Sequence, residues 1–244
     1  MATLSKSKPM QFKLSAKQFI EKLSSLRSKT AADNSRFFKD DNETNKFLGV
    51  RMSNIFTLAK QFSQMPLDEI ENLLESDYYE ARMGAVSIMD FQARDKKISA
   101  ERRKELFNLY LSRHNRINNW DLVDRSAPYV VGGYLFDKSR AVLFKLAKSK
   151  NVWERRTSIV STYFFIRQND LEDTFKIAEI LIHDDHDLIQ KAVGSWVREA
   201  GKRDKQKLLS FLNKYAATMP RTTLRYAIEK LDKKQKEFYM NAKR

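Results

Sequence analysis

Apolar residues recur at intervals of three and four along almost the whole chain, and no other feature of the sequence constrains the fold as strongly. The clearest runs are Met52, Ile55, Phe56, Ala59; Leu171, Phe175, Ala178, Leu181; and Leu224, Ala227, Ile228, Leu231. This spacing gives a helix one buried stripe. Only 6 Gly and 4 Pro interrupt the pattern, and the chain has neither an Asn-Gly or Asp-Gly turn nor sustained apolar alternation. The sequence therefore predicts an all-α protein.

Short polar breaks separate the apolar runs and supply the turns between helices. They fall at 76–77, 117–119, 148–151, 183–186 and 218–220. Ser, Asp and Asn in such breaks cap the helices that follow them. Because no low-complexity linker divides the chain, we expect one domain over residues 1–244, with 1–30 as a basic N-terminal helix or arm.

A basic residue followed closely by a small one marks the early part of successive predicted helices. These basic residues are Arg82, Arg125, Arg156, Lys191 and Arg225, at separations of 43, 31, 35 and 34. Such a period is typical of helix-pair repeats, so we expect a HEAT-like solenoid, curved, with cations along a basic concave groove. A chance alignment of arginines in a basic helical chain is the alternative.

The net charge of +15 is concentrated at the two ends of the chain. Residues 1–30 contain seven Lys or Arg and one acid, residues 201–244 contain thirteen and four, and residues 31–200 contain 26 of each. This asymmetry favours a polyanionic partner. Solvated basic tails are the alternative, but residues 220–236 retain helical periodicity, which a tail does not need.

The chain has no cysteine, which excludes disulfides and thiolate chemistry and fits a reducing compartment. We find no apolar segment long enough for a secretory leader or a membrane span, and expect a cytoplasmic protein without a membrane partner. The basic start also has some character of an organelle transit peptide, although the spacing of Phe19, Ile20, Leu23 and Leu26 favours a packed helix. There is no glycine-rich phosphate loop and no nucleophile elbow, so we expect no cofactor.

Two segments combine residue types that carry chemistry. Trp120 and Asp124 are four residues apart and therefore lie on one helix face, about one turn apart. Residues 151–156 add a second tryptophan with Arg155 and Arg156, whose guanidinium groups suit bidentate phosphate contact. Taken alone, the first segment is more often a core aromatic beside an acid in the first turn of a helix. Residues 183–186 contain two His and two Asp, but they form a capping turn, and we expect no metal.

At this point the chain resembles a known family. The motifs are Trp-Asp-x-Val-Asp at 120–124, Asn-x-Trp-x-x-Arg at 151–156, Ile-Gln-Lys-Ala-x-Gly at 189–194, Arg198-Glu199, and Met219-Pro220-Arg221 through Lys230-Leu231. Together with residues 47–52 and 82–90 they look like the AlkD-type DNA glycosylases. Their order is kept over residues 36–232, which is most of the chain.

The resemblance implies a monofunctional glycosylase on a HEAT-like solenoid that grips duplex DNA and excises purines alkylated at ring nitrogens 3 or 7. It makes Asp124 the catalytic aspartate, Trp120 the lesion-facing tryptophan and Arg156 a catalytic-site arginine that contacts the DNA backbone. Further DNA-binding positions implied are Lys191, Arg198 and Arg221, to which we add Arg155. The expected partner is double-stranded DNA, bound by a monomer without a cofactor.

Two positions depart from the family pattern. Where the family has a second lesion-facing tryptophan directly after the glycine, this chain has Ser195, and Trp196 follows one place later. Where the family has a tyrosine upstream, the nearest counterpart is Phe37. Successive helical residues point about 100° apart, so Trp196 is predicted to lie in the core and Ser195 on the polar side.

Two functions of different class follow. In a glycosylase, a base alkylated on a ring nitrogen is already cationic and leaves readily. An ionised Asp124 then needs only to stabilise the cationic sugar and position water. The alternative is a non-catalytic HEAT-like scaffold that binds DNA structures or proteins. The joint presence of Trp120, Asp124 and Arg156 favours the enzyme.

Overall fold

A computed structural model describes residues 14–28 and 45–242 of the chain. The described helices are α1 (Ala16–Ser25), α2 (Met52–Gln61), α3 (Leu67–Leu74), α4 (Tyr79–Arg94), α5 (Ala100–Ser112), α6 (Trp120–Ala127), α7 (Gly133–Leu135), α8 (Ala141–Leu146), α9 (Val152–Arg167), α10 (Glu172–Leu181), α11 (Asp187–Gly201), α12 (Lys205–Tyr215), α13 (Arg221–Ala227) and α14 (Lys233–Met240). A π-helical turn, Pro128–Gly132, joins α6 to α7. Phe37 lies outside the described residues. Among the helices in these two ranges, none is long and apolar enough to cross a bilayer.

The helices form two layers that alternate along the chain. In one layer α2, α4, α6, α9, α11 and α13 each pack against the next, and we call these six helices the site layer. The other helices back this layer; for example, α3 packs on α4, α10 on α9 and α11, and α12 on α11. This order is that of stacked helix pairs, so the predicted all-α repeat solenoid is confirmed.

Three of the five polar breaks cap the helix that follows, as predicted, whereas α4 and α13 begin after Tyr78 and Pro220 without a side-chain cap. Asn119 and Asn151 each accept a backbone N–H of the first turn, of α6 and α9 respectively. His186 does the same for α11 through Nδ1, at 3.2 Å from the backbone nitrogen of Leu188. Each cap satisfies one of the N–H groups that a helix start leaves without a partner, which fixes where the helix begins.

Glycines let helices of the site layer approach one another closely. A Cβ at Gly194 of α11 would lie 2.5 Å from the carbonyl oxygen of Thr223 in α13. A Cβ at Gly132, in the π-helical turn, would lie 2.1 Å from the carbonyl oxygen of Ser161 in α9. Both distances are well below van der Waals contact. Glycine therefore permits the close approach of neighbouring elements at these two positions.

The five basic residues that mark the repeat do not share one environment. Arg225 is exposed and Lys191 and Arg125 are half-buried, whereas Arg82 and Arg156 are buried. Arg82 donates to the backbone carbonyl of Ser76 at 3.0 Å, and Arg156 binds side-chain and backbone oxygens described below. The repeat thus places basic residues at similar points of successive helices, but packing turns some of them inward.

Candidate functional site

Helix α6 presents Trp120 and Asp124 on its open side. Its buried residues are Leu122, Val123, Ser126 and Ala127. Trp120, Asp121, Asp124 and Arg125 make up the opposite side and are half-buried. Asn119 fixes the helix start, because its Oδ1 accepts the N–H of Trp120 at 2.7 Å. The spacing of four residues therefore places Trp120 and Asp124 one turn apart on this open side.

A bidentate ion pair fixes the Asp124 carboxylate. Arg156 of α9 donates from Nε to Oδ1 at 2.8 Å and from Nη2 to Oδ2 at 2.7 Å. Its remaining nitrogen, Nη1, donates to the carbonyl oxygen of Leu188 in α11 at 2.6 Å. The side chain of Arg156 is 7% exposed, whereas that of Asp124 is 27% exposed. The buried guanidinium therefore ties three helices together and holds an open carboxylate in one orientation.

Buried polar groups lie next to Arg156 in α9. The Thr157 hydroxyl is 3.0 Å from the Tyr110 hydroxyl and 2.9 Å from Nε2 of His114. Burial raises the pKa of Tyr110, and the nearby Asp124 charge acts in the same direction. Burial also lowers the pKa of His114, so its neutral form is favoured. This network joins α5, through Tyr110, and the turn after it, through His114, to α9.

Asp121 forms a second carboxylate contact that sequence reasoning did not anticipate. The Tyr79 hydroxyl of α4 donates to Oδ2 of Asp121, and the backbone N–H of Leu122 donates to Oδ1 at 2.9 Å. Burial raises the pKa of the Asp121 carboxyl, and the hydrogen bond from Tyr79 opposes this shift. Nothing in the sequence links Tyr79 to Asp121, because they are 42 positions apart and meet only when α4 packs on α6.

The three tryptophans have different surroundings. Trp120 is half-buried, and its indole makes neither a hydrogen bond nor a ring contact with the described part of the chain. Trp153 packs against the core. Trp196 also packs against the core, donates from Nε1 to the carbonyl oxygen of Val160 at 3.1 Å, and meets Tyr163 edge to face. The indole of Trp120 is thus without a hydrogen bond or ring contact among the described residues, and it lies one helical turn from Asp124.

Helix α11 places Lys191, Ser195 and Arg198 on its partly exposed side. Its fully buried stripe consists of Ile189, Ala192, Val193, Gly194, Val197, Ala200 and Gly201. Ser195 therefore lies outside the core, on the polar side that the sequence predicts for it. Lys191 pairs with Asp187 one turn away, at 2.6 Å, and both side chains are more than a third exposed.

The remaining predicted DNA-binding arginines all have protein partners. Arg155 donates from Nε to Asp184 at 2.6 Å, and Arg198 pairs with Glu199 and Glu229. Arg221 donates from Nη2 to the carbonyl oxygen of Met240 at 2.6 Å. These side chains are half-buried, and the side chain of Lys191, which is 35% exposed, is more open than those of Arg155 and Arg198, which are each 17% exposed.

The turn at 183–186 has structural roles. Asp184 binds Arg155, and His186 caps α11. Over residues 14–28 and 45–242, we find no group of three or more His, Cys, Asp or Glu side chains that is placed to hold a metal ion.

Comparison with known proteins gives one consistent result. The model of the DNA alkylation repair enzyme family matches residues 19–231. A predicted DNA alkylation repair enzyme from Enterococcus faecalis has a similar structure, with a TM-score of 0.66, 18% identity, and coverage of 85% of this chain and 98% of that chain. AlkD2 from Streptococcus mutans aligns with a TM-score of 0.54 and 18% identity, covering 89% of this chain and 100% of that chain. At this identity the two structures establish a shared fold alone. Curated proteins give no significant match.

Proposed function

Because the chain belongs to the DNA alkylation repair enzyme family, we propose that it is a glycosylase. Its reaction would be hydrolysis of the N-glycosidic bond of purines alkylated at ring nitrogens 3 or 7 in duplex DNA. One observation carries the proposal: a partly exposed carboxylate, Asp124, is held by a buried arginine one helical turn from a half-buried indole, Trp120. We expect the protein to act as a monomer, because these groups belong to one chain, and in the cytoplasm, which suits a chain without cysteine.

The reaction makes a limited demand on the protein. The alkylated base is cationic. When the glycosidic bond between C1′ and N9 of the purine breaks, the electron pair goes to the base, which leaves as a neutral molecule. Positive charge develops on the sugar, water adds to C1′, and a proton is lost. A fixed carboxylate stabilises that charge and accepts the proton of the attacking water. Asp124 supplies such a group without a general acid.

The hydrogen bonds from Arg156 leave Asp124 able to do this. Each carboxylate oxygen has two lone pairs, and each accepts one bond from Arg156. The second lone pair of each oxygen remains for water or the sugar. Arg156 is therefore a positioning residue in the free protein, since all three of its nitrogens bind protein oxygens.

The indole of Trp120 completes the site. Its ring, which no other ring of the described residues contacts, offers contact to an electron-poor, cationic base, worth on the order of 1–2 kcal/mol where water is excluded. Around this centre, Lys191 is an accessible candidate for a DNA phosphate. Its ion pair with Asp187 is exposed and therefore weak, so a phosphate oxygen can replace the carboxylate at little cost. Arg155 and Arg198 would contact phosphates only by exchanging their present partners, whereas Arg221 binds the protein through Nη2 alone.

Release of free base tests the proposal directly. Purified protein is incubated with a methylated duplex, and released 3- and 7-alkylpurines are quantified by chromatography with mass detection. We expect release well above the uncatalysed rate. Release equal to that rate would contradict the proposal.

A second candidate, a DNA-binding scaffold without catalysis, is favoured by one observation. Ser195 stands where the family has a tryptophan, and the neighbouring Trp196 is bonded to Val160 in the core. A lesion would therefore meet one indole rather than two. Binding of duplex DNA with no base release would support this second candidate.

A further inference from the structure

Next to the candidate site, two arginines of the site layer share one buried carboxylate. Asp90 of α4 is completely buried. Its Oδ1 is 2.8 Å from Nε of Arg94, one turn along α4, and its Oδ2 is 3.1 Å from Nη1 of Arg125 in α6. We call Arg94 and Arg125 the arginine pair, and Asp90 its anchor. The anchor fixes both guanidinium groups relative to the two helices.

Aromatic rings hold the two guanidinium groups from other directions. Arg94 lies over the ring of Tyr129, with Cζ 3.7 Å from the centroid. Arg125 lies between the rings of Phe56 and Phe91, 4.8 Å from each centroid. Stacking of this kind leaves the edge of a guanidinium free to donate hydrogen bonds. Both side chains are thereby immobilised before any ligand arrives.

Several donors of the pair remain available. Within the described residues, Arg94 bonds only through Nε, so its Nη1 and Nη2 have no hydrogen-bond partner there. Arg125 bonds to this part of the chain through Nε and Nη1, so its Nη2 has no partner in it, and this atom is not enclosed. The side chains are 43% and 20% exposed. Two cations face one anion, so the group carries a net positive charge whether Asp90 is ionised or protonated.

An ion pair whose only role was to join two helices would not need two arginines for one carboxylate. One arginine bonded to one carboxylate joins two elements with balanced charge, as Arg155 of α9 does with Asp184 in the turn before α11. Here the charge is unbalanced, and the unused donors face solvent. Fixed, cationic, outward-facing guanidinium groups match the geometry of a phosphate diester.

The arginine pair also lies on the surface that carries the candidate active site. Arg125 follows Asp124 directly in α6, and both lie on the side opposite the buried residues of that helix. Arg125 points toward α4, whereas Asp124 pairs with α9. The two sites are therefore neighbours, one on each side of α6.

We propose that Arg94 and Arg125 form a preorganised phosphate site that holds the DNA backbone beside Asp124. The inference deepens the proposed function, since it takes duplex DNA as the ligand. It predicts that neutralising one cation removes about one counterion from the salt dependence of DNA binding.

The test compares Arg94→Gln with Arg113→Gln. Arg113 is a matched control because its side chain is 41% exposed and it pairs with Glu71 and Glu75, away from the site layer. Binding of an undamaged duplex is measured by fluorescence anisotropy over a range of salt concentrations. We expect the slope of log K against log salt to become less steep by about 0.9 for Arg94→Gln and to stay unchanged for Arg113→Gln.

Arg94→Lys sharpens the test, because it keeps the charge but loses the stacked fork. We expect it to keep the wild-type slope with weaker binding. Circular dichroism confirms folding, which substitution of a side chain that is 43% exposed should leave intact. An unchanged slope in Arg94→Gln, with normal wild-type binding, would overturn the inference and leave the proposed function intact. Absence of DNA binding by the wild-type protein would overturn both.

Discussion

Helix α6 has an acid–arginine assembly on each side, and the two have opposite exposures. At Asp124 the carboxylate is 27% exposed and its arginine is 7% exposed. At Asp90 the carboxylate is fully buried, and Arg94 and Arg125 are 43% and 20% exposed. The same chemical groups thus present a negative charge on one side of the helix and positive charges on the other. Burial of one partner, rather than residue type, determines which charge a ligand meets.

The largest effect is expected on catalysis. Asp124→Asn removes the charge opposite the developing sugar cation, so the single-turnover rate of base release should fall by about 100-fold or more. Asp173→Asn is the matched control, since its carboxylate also binds an arginine, Arg140, but belongs to α10, outside the site layer. At saturating enzyme it should keep a rate close to wild type. Equal losses in the two variants would contradict the assignment of Asp124.

Removing the more exposed carboxylate, Asp124, should lower the free energy of unfolding more than removing the buried one, Asp90. Asp124→Ala leaves the buried Arg156 guanidinium without its counter-charge, which should lower the free energy of unfolding by about 3 kcal/mol. Asp90→Ala should cost less, about 1–2 kcal/mol, because Arg94 and Arg125 can turn to water. Urea denaturation followed by circular dichroism measures both values. A larger loss in Asp90→Ala would reverse the comparison.

A smaller effect is expected from adding an aromatic ring on the Asp124 side. Ser195→Trp places an indole on the partly exposed side of α11, where the resembled family has one. An aromatic contact to a cationic base is worth about 1 kcal/mol at a partly exposed position, so affinity for lesion-containing duplex should rise by about fivefold. Affinity for undamaged duplex provides the control. Equal gains for both duplexes would show that position 195 does not meet the lesion.

The smallest effect concerns pH. Burial raises the pKa of the Asp90 carboxyl above its ordinary value of 3.8, and Arg125 and Arg94 only partly offset this. The unfolded state therefore loses its proton first as pH rises. Relative to Asp90→Asn, the wild-type free energy of unfolding should fall as pH increases from below 3.8 through the raised pKa. Urea titrations of both proteins from acid to neutral pH measure this difference. A difference that is constant with pH would show that the carboxyl titrates alike in both states.

Local features of the candidate site could be predicted from the sequence. The i,i+4 spacing places Trp120 and Asp124 on one face of α6, and Asn119 and Asn151 cap α6 and α9 as cap residues in polar breaks do. The position of Ser195 outside the buried stripe of α11 also follows from helical periodicity. Each of these predictions depends on residues within about one helical turn, where backbone geometry alone fixes direction.

Contacts between helices could not be predicted in this way. Arg156 reaches Asp124 over 32 positions, and Tyr79 reaches Asp121 over 42. The repeat of basic residues suggested equivalent cations, yet Arg156 is buried and Arg125 stacks between two rings. Helix periodicity gives the direction of a side chain but not the neighbour that it meets.

The sequence by itself determined an all-α chain of short, capped helices, its repeat, and the pairing of an indole with a carboxylate on one helix face. These properties follow from propensity, capping and the 3.6-residue turn, which act over a few residues. Only the tertiary structure decided that Arg156 is enclosed beside an open Asp124, while Asp90 is enclosed beside open arginines. The reason is physical: exposure depends on which helices pack against a side chain, and that packing joins residues far apart in the chain.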